Sequence, residues 1–163
     1  MFADNESLNT LFKVINNLPL PLWLMMMVLP SWRVTQFLAR SRIIPIIVCA
    51  AYATFFILKT ASGDVMDMKS FLTLDGVKAI FAEKDVVLIG WAHFIAYDIF
   101  VGSWVFLDNY DNGRKVPHLL MVVCLFFCLM LGPVGAVLYV IFKLLIAREW
   151  IYKTEANEKQ KQQ

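Results

Sequence analysis

Four long apolar runs constrain this chain more than any other feature. A helix that crosses the hydrocarbon core of a bilayer needs about 20 mostly apolar residues, and such runs cover Leu8 to Leu29, Ile43 to Leu58, Val86 to Leu107 and Pro117 to Ile146. The composition agrees, because 60% of the residues are hydrophobic and only 17% are charged, against about 45–50% and about 25% in soluble domains. The sequence therefore predicts an all-α integral membrane bundle of four transmembrane helices.

The connecting segments complete this picture. The bundle is expected to form one domain over 1–150, and the charged, Gln-rich residues 151–163 predict a disordered tail. Apolar residues recur between the second and third runs at spacings that indicate a short interfacial helix: Phe71, Leu72, Leu74, Val77, Ile80 and Phe81. The residues from Asp108 to Gly113 are rich in Asp, Asn and Gly, and they predict the loop before the fourth run. That run is nearly 30 residues long, so it must tilt, bend at Pro133 or project from the bilayer.

The distribution of Lys and Arg leaves two orientations open. With four spans, both termini share one side with the central loop and with ten of the fifteen basic residues, which favours cytoplasmic termini. The first loop, however, is the densest basic stretch without acids, since it carries Arg33, Arg40 and Arg42. This loop favours the reverse orientation.

The third run contains the polar residues that most need an explanation. A charge at mid-bilayer costs about 2.5–3.5 kcal/mol on insertion scales, yet this run holds His93 and Asp98. At about 100° per residue these two side chains stand about 140° apart, so each needs a partner on another helix, a ligand or a water. Both are candidate catalytic groups. The alternative for each is structural, namely an interhelical hydrogen bond for Asp98 and a neutral imidazole that donates to a carbonyl for His93.

Residues around these two are candidates for contact with a ligand. Tyr97 and Trp104 share the face of His93, while Trp91 and Gly102 share the face of Asp98. Asp108 and His118 flank one short loop and could form a pair that titrates near neutral pH. Gly132 and Gly135 surround Pro133 and form either a kink or the wall of a cavity beside Asp98. The candidate ligand-binding set is Trp91, Tyr97, Gly102, Trp104, Asp108, His118, Gly132 and Gly135.

Several functional classes lack support in the sequence. Two histidines without a metal-ligand spacing predict no metal site, although one histidine beside small residues leaves haem or chlorophyll ligation at His93 open. The absence of a P-loop or GxGxxG loop predicts no nucleotide cofactor, so no cofactor is expected. A net charge of +2 is too balanced for a nucleic-acid partner.

Several segments taken together resemble the abscisic-acid-deficient-4-like family of small four-helix membrane proteins. They are Gly90 to His93, Asp98 to Gly102, Asp108, Pro117 to Leu119, Cys124 and Leu125, Gly132 to Gly135, Tyr139, Leu18 to Trp23 and Pro30 to Arg33. The resemblance covers most of the chain, and its specific part extends from the third run into the fourth. Val123 departs from it, since proline is expected there. The chain also shows no plastid transit extension, so a bacterial-type member in an inner membrane is expected.

The resemblance implies a function in carotenoid metabolism, because plastid members of the family are required to make neoxanthin from violaxanthin. The implied reaction is a redox-neutral isomerisation, in which an acid protonates the epoxide oxygen while a base removes a vinylic proton. Their placement makes Asp98 and His93 the candidates for these proton transfers, with Asp108 and His118 in reserve. The expected partners are a carotenoid or other isoprenoid lipid and membrane lipids.

Two other functions are left open. One is a non-catalytic pigment- or lipid-binding subunit of a membrane complex. The other is a transporter or channel subunit with Asp98 on an ion path, although four spans without a repeat make a self-contained transporter a weaker hypothesis. Small residues at four-residue spacing allow close helix packing, but they do not establish a homo-oligomer.

Overall fold

The computed structural model describes residues 3–63 and 68–148, and these are helical with short connections and no strand. Residues 151–163, for which a disordered tail is predicted, lie outside the described part. The helices are α1 (Asn5–Asn17), α2 (Leu20–Val28), α3 (Arg33–Ser41), α4 (Ile43–Ala61), α5 (Leu74–Ile80), α6 (Lys84–Asp111), α7 (His118–Leu131) and α8 (Pro133–Phe142). A 3₁₀ turn over Met68–Leu72 precedes α5, and a π-helical turn over Lys143–Ala147 follows α8. The all-α prediction is confirmed.

Three stretches of the described chain are long and apolar enough to cross a membrane. They are Asn5–Val28, Arg33–Ala61 and Lys84–Asp111, with 24, 29 and 28 residues. The first stretch is interrupted between α1 and α2 at Leu18 and Pro19, close to where Pro19 and Pro21 predict a break. The second is interrupted at Arg42, whose φ of 56° separates α3 from α4. The chain is therefore that of a membrane protein.

The central element is α6, whose two halves contribute to two different hydrophobic clusters. Its first half packs with α1 and α4 through residues such as Leu88, Ala92 and Ala96. Its second half packs with α2, α7 and α8 through residues such as Ile99 and Phe106. Asp98 lies at the junction, so the carboxylate occupies the boundary between the two clusters.

The fourth apolar run does not form one long helix, because α8 folds back along α7. Gly132, between them, has φ 46° and ψ −93°, a conformation that favours glycine. Gly135 lies so close to Cys124 and Cys128 of α7 that a Cβ built on it would overlap their backbone atoms. The 14 residues of α7 rise only about 21 Å, which is less than the roughly 30 Å hydrocarbon core. The prediction of four transmembrane helices is therefore not confirmed, and we call α7 and α8 the hairpin.

Polar contacts show which helix ends lie together. Lys84 donates to Asn5, and Lys59 at the end of α4 forms ion pairs with Glu83 and Asp85, so these groups share what we call the Lys84 end. Arg40 pairs with Asp111 at the opposite end, which we call the Asp111 end. Both ends of the hairpin lie there as well, because α7 follows α6 through a short loop and Lys143 after α8 contacts Asp108.

One local expectation from the sequence needs correction. Asp108, Asn109 and Tyr110 are helical, since α6 continues to Asp111. The reason is tertiary, because the Asn109 side chain bonds to the backbone of Val116 and thereby holds the last turn of α6. The short helix α5 forms where an interfacial helix is predicted. Its first residue, Leu74, is 85% exposed, and Leu72 just before it is 82% exposed.

The structure has three stretches that can cross a membrane and a hairpin whose two ends lie together. We therefore predict that the start of α1 and the end of α8 lie on opposite sides of the membrane. This differs from the four-span expectation. It also removes the conflict between the basic segments, because the arginines around α3 and the basic residues at 114, 115, 143 and 148 then share the Asp111 end. The positive-inside rule accordingly makes the Asp111 end cytoplasmic.

Single cysteines and a membrane-impermeant maleimide test this topology. Ser31→Cys and Ile146→Cys are expected to label from the cytoplasmic side, and Ser7→Cys and Ser62→Cys from the other side. All four side chains are exposed. Labelling of Ser31→Cys and Ile146→Cys from opposite sides would contradict the hairpin, because it would require a fourth complete span between these positions.

Candidate functional site

A cavity of about 590 Å³ lies beside Asp98, within the 300–1,000 Å³ that is typical of small-molecule sites. It is bounded by the break between α1 and α2, by α6 and by the tip of the hairpin. Its lining is largely apolar and consists of Asn16, Pro19, Leu20, Trp23, Trp91, Phe94, Ile95, Asp98, Leu129, Met130, Leu131 and Pro133. We call it the Asp98 cavity.

The cavity reaches the lateral surface of the protein. Three of its lining side chains, Phe94, Met130 and Leu131, are 56%, 55% and 56% exposed. They belong to helices whose outer faces are apolar. A lipid-soluble molecule can therefore reach Asp98 from the hydrocarbon region without passing through water.

Asp98 itself is half-buried near the middle of α6. In the described ranges, neither a cation nor a hydrogen-bond donor contacts its carboxylate. Its immediate neighbour is the backbone of Gly132, where an added Cβ would overlap Oδ1 of Asp98. Glycine is therefore required at the hairpin tip both by the positive φ and by the approach of the carboxylate.

The start of α8 adds a favourable field at this carboxylate. Gly132 is the N-cap of α8, and the amino end of a helix carries a partial positive charge of roughly half an elementary charge. Within this glycine and proline segment, Pro133 lines the cavity beside Asp98 and Gly132 forms the turn between α7 and α8.

Trp91 and Gly102 lie on the Asp98 side of α6, as their spacing predicts. The Trp91 indole N–H donates to Oδ1 of Asn16 at 3.2 Å, which joins α6 to α1 at the edge of the cavity. Gly102 allows the ring of Trp23 to lie directly on α6, because a Cβ there would overlap that ring. Sequence reasoning missed Asn16 and Trp23, although a polar Asn16 within the first apolar run was a usable signal.

The structure does not bring His93 into the Asp98 cavity. The His93 ring lies 5.3 Å from the ring of Tyr52 on α4 and 4.7 Å from that of Tyr97, measured between centroids. Tyr97 is 61% exposed on the apolar outer surface. This separation agrees with the 140° angle between His93 and Asp98, and it leaves the expected acid and base without a shared site.

A second polar cluster forms near the Asp111 end of α6. The Asp108 carboxylate accepts hydrogen bonds from the Tyr139 hydroxyl and from Nζ of Lys143, the latter at 2.5 Å. Trp104 packs edge-on against Tyr139, with centroids 6.1 Å apart. Lys143 was missed because a continuous fourth helix would place it far from Asp108, whereas the hairpin returns it.

His118 and Gly135 complete the predicted set. His118 lies exposed at the start of α7 and does not contact Asp108, so their predicted pairing is not observed. Gly135 packs α8 against α7 rather than lining the cavity. In residues 3–63 and 68–148, no group of three His, Cys, Asp or Glu side chains is arranged to hold a metal ion.

Comparisons with known proteins point to one family. The sequence profile described as ABA DEFICIENT 4-like matches residues 10–139. The chain is similar to Protein ABA DEFICIENT 4, chloroplastic, of Arabidopsis thaliana, at 24% identity over 146 residues, which is 87% of this chain. The chain spans 64% of the length of that relative. No solved structure matches.

Gly132→Ala is expected to destabilise the protein through two separable terms. A side chain at this sparsely populated combination of φ and ψ costs about 1–3 kcal/mol, and overlap with Asp98 adds about 1–3 kcal/mol of overpacking. In an Asp98→Ala background the second term should disappear while the first remains. Gly113→Ala is the matched control, since Gly113 has φ 80° but no neighbouring atom within 4 Å.

Unfolding of these variants in mild detergent measures the coupling between positions 98 and 132. Strict additivity of Gly132→Ala and Asp98→Ala would contradict contact between the hairpin tip and the carboxylate.

Lys143→Met is expected to cost about 3–5 kcal/mol of stability, because it leaves Asp108 as an uncompensated, largely buried charge. Adding Asp108→Asn should restore part of the loss. The exposed pair of Arg40 and Asp111 provides the comparison, since Arg40→Met should change stability by only about 0–1 kcal/mol. If Lys143→Met and Arg40→Met changed the thermal unfolding equally, the ion pair of Lys143 with Asp108 would not stabilise the hairpin as we expect.

Proposed function

The chain belongs to the ABA DEFICIENT 4-like family, and we propose that it is a carotenoid isomerase that acts on an epoxide within the membrane. The observation that carries this proposal is the carboxyl group of Asp98, which has no partner among residues 3–63 and 68–148. It lies near the middle of a spanning helix, beside an apolar cavity that reaches the lateral surface. An isoprenoid lipid fits such a site better than a water-soluble substrate does. We accordingly propose that it is a multi-pass protein of a bacterial inner membrane.

Asp98 can supply both proton transfers of a redox-neutral isomerisation. An unpaired carboxylate at this depth costs about 2.5–3.5 kcal/mol, so we propose that Asp98 holds a proton at rest. It gives that proton to the epoxide oxygen as the carbon–oxygen bond breaks. The resulting carboxylate then takes the proton from the adjacent vinylic carbon, and the electrons of that C–H bond form the new double bond of the allene.

This cycle leaves Asp98 protonated, as it began, and it consumes no electron donor. It also requires no second catalytic side chain in the cavity, whereas the sequence-based hypothesis paired Asp98 with His93. Asp108 is ten residues away on α6, which is about 15 Å along the axis, and it is engaged by Tyr139 and Lys143. We therefore assign both transfers to Asp98 alone.

Two other features of the cavity support this assignment. The amino end of α8 stabilises the carboxylate that exists between the two transfers. At the edge of the cavity, Oδ1 of Asn16 accepts from the Trp91 indole N–H, so the Asn16 amide N–H groups can serve as donors to a polar substituent such as a ring hydroxyl.

Asp98→Asn is expected to abolish isomerisation, because the amide can neither donate an acidic proton nor accept one. General acid–base catalysis contributes about 10²–10⁴-fold, so conversion should fall at least about 100-fold. The measurement is chromatography and mass spectrometry of pigments from cells that accumulate an epoxycarotenoid, where the product has the substrate's mass but another retention time.

Matched variants sharpen this test. Asp98→Glu should retain part of the activity, while Asp111→Asn and His93→Gln should stay close to the wild type. An unchanged pigment profile with the wild-type chain would overturn the isomerase proposal.

The second candidate is a non-catalytic pigment- or lipid-binding subunit, which the same lateral cavity favours. Mass spectrometry of the protein purified in mild detergent distinguishes the two. A co-purifying carotenoid that remains bound in Asp98→Asn, with no conversion by any variant, would favour the binder.

A further inference from the structure

A smaller cavity of about 70 Å³ lies at the Asp111 end, between the end of α2 and the loop that joins α6 to α7. Its walls from α2, α6 and α7 are mostly apolar, with Met26, Phe106 and Leu125 among them, and Asn109 and Tyr110 of α6 also line it. Its rim carries Arg114 and His118. It contains none of the residues of the Asp98 cavity, so it is a separate site.

The loop that carries Arg114 is held in a defined shape. The Asn109 side chain donates to the carbonyl of Val116 and accepts from its N–H, both at 3.0 Å. The backbone N–H of Arg114 donates to the carbonyl of Asn109 at 2.8 Å. The Arg114 guanidinium lies over the ring of Tyr110, 4.4 Å from its centroid, and this stacking fixes its position at the cavity.

Positive and donor groups at this rim are not neutralised by the nearby acids. Asp111 accepts hydrogen bonds from the two terminal guanidinium nitrogens of Arg40, and Asp108 accepts from Tyr139 and Lys143. Within the described chain, no acceptor contacts the guanidinium of Arg114 or the imidazole of His118. Arg114 thus presents its N–H donors, in a fork that matches a phosphate, without a bound acceptor.

We propose that this cavity binds the phosphate of an anionic membrane phospholipid, with Arg114 and His118 as donors. The volume equals the share of about two water molecules in the liquid, so it admits one phosphoryl group rather than a whole headgroup. The position at the end of the spanning helices favours a ligand whose acyl chain lies outside the cavity, along apolar surface such as Leu119, which follows His118 and is 76% exposed. Free phosphate offers the same oxygens but has no acyl chain to place against this surface.

The test uses the full chain in a neutral detergent, with binding followed by thermal shift and by native mass spectrometry. Phosphatidylglycerol is expected to raise the melting temperature and to remain bound, whereas phosphatidylcholine and inorganic phosphate should do neither. Arg114→Gln should weaken the binding of phosphatidylglycerol about tenfold or more, which is the scale of a lost charge-assisted hydrogen bond.

Two further variants control for nonspecific charge effects and for misfolding of Arg114→Gln. Arg33→Gln removes an exposed arginine at the same end and should bind like the wild type. His118→Gln alters an exposed side chain, so it should fold normally even if Arg114→Gln does not, and it should also weaken binding.

Equal loss in Arg33→Gln would show nonspecific surface attraction and overturn the proposal. So would an equal shift with inorganic phosphate, or unchanged binding in both Arg114→Gln and His118→Gln. None of these outcomes depends on carotenoid conversion, so this inference and the proposed function can fail separately.

Discussion

The contact between Gly132 and the Asp98 carboxylate is the constraint on which the rest of this structure depends. It brings the tip of the hairpin to the middle of α6, where an irregular stretch of backbone would otherwise face lipid. Backbone outside regular secondary structure is tolerated at that depth only when protein or a cavity covers it. Here α6 and the Asp98 cavity provide this cover. The same turn therefore divides the fourth apolar run into α7 and α8 and forms one wall of the candidate site.

The position of the tip is reinforced from the other end of the hairpin. Asp108 holds Lys143 and Tyr139 at the place where α8 ends, and Gly135 allows α8 to approach the backbone of α7. The two carboxylates of α6 thus have different surroundings. Asp108 is neutralised and fastens an element, while Asp98 has no partner among the described residues and borders a cavity. This difference favours chemistry at Asp98 and a structural role at Asp108.

Much of the fold could be predicted from the sequence, and the parts that could not share one cause. Apolar length identifies α4 and α6, and helical spacing places Trp91 with Asp98 and His93 with Tyr97. The hairpin could not be derived in this way, because length and hydropathy are the same for a tilted helix and for two arms joined at Gly132. That one ambiguity explains why the prediction of four crossings is not confirmed, why Lys143 was missed and why the predicted contact between Asp108 and His118 is not observed. Asn16, by contrast, could have been identified from the sequence, because it is a polar residue within an apolar run.

The placement of His93 narrows the chemistry that the site can perform. A mechanism with separate acid and base needs two groups within reach of one substrate, and His93 faces α4 instead. A redox-neutral isomerisation does not need two groups, because one carboxyl group can donate a proton to the substrate in the first step and accept a proton from it in the second. It needs one carboxyl group that can change its charge without losing its position. Asp98 meets that condition, since the backbone of Gly132 limits its movement and the amino end of α8 favours its charged form, while the lateral opening gives a lipid access to it.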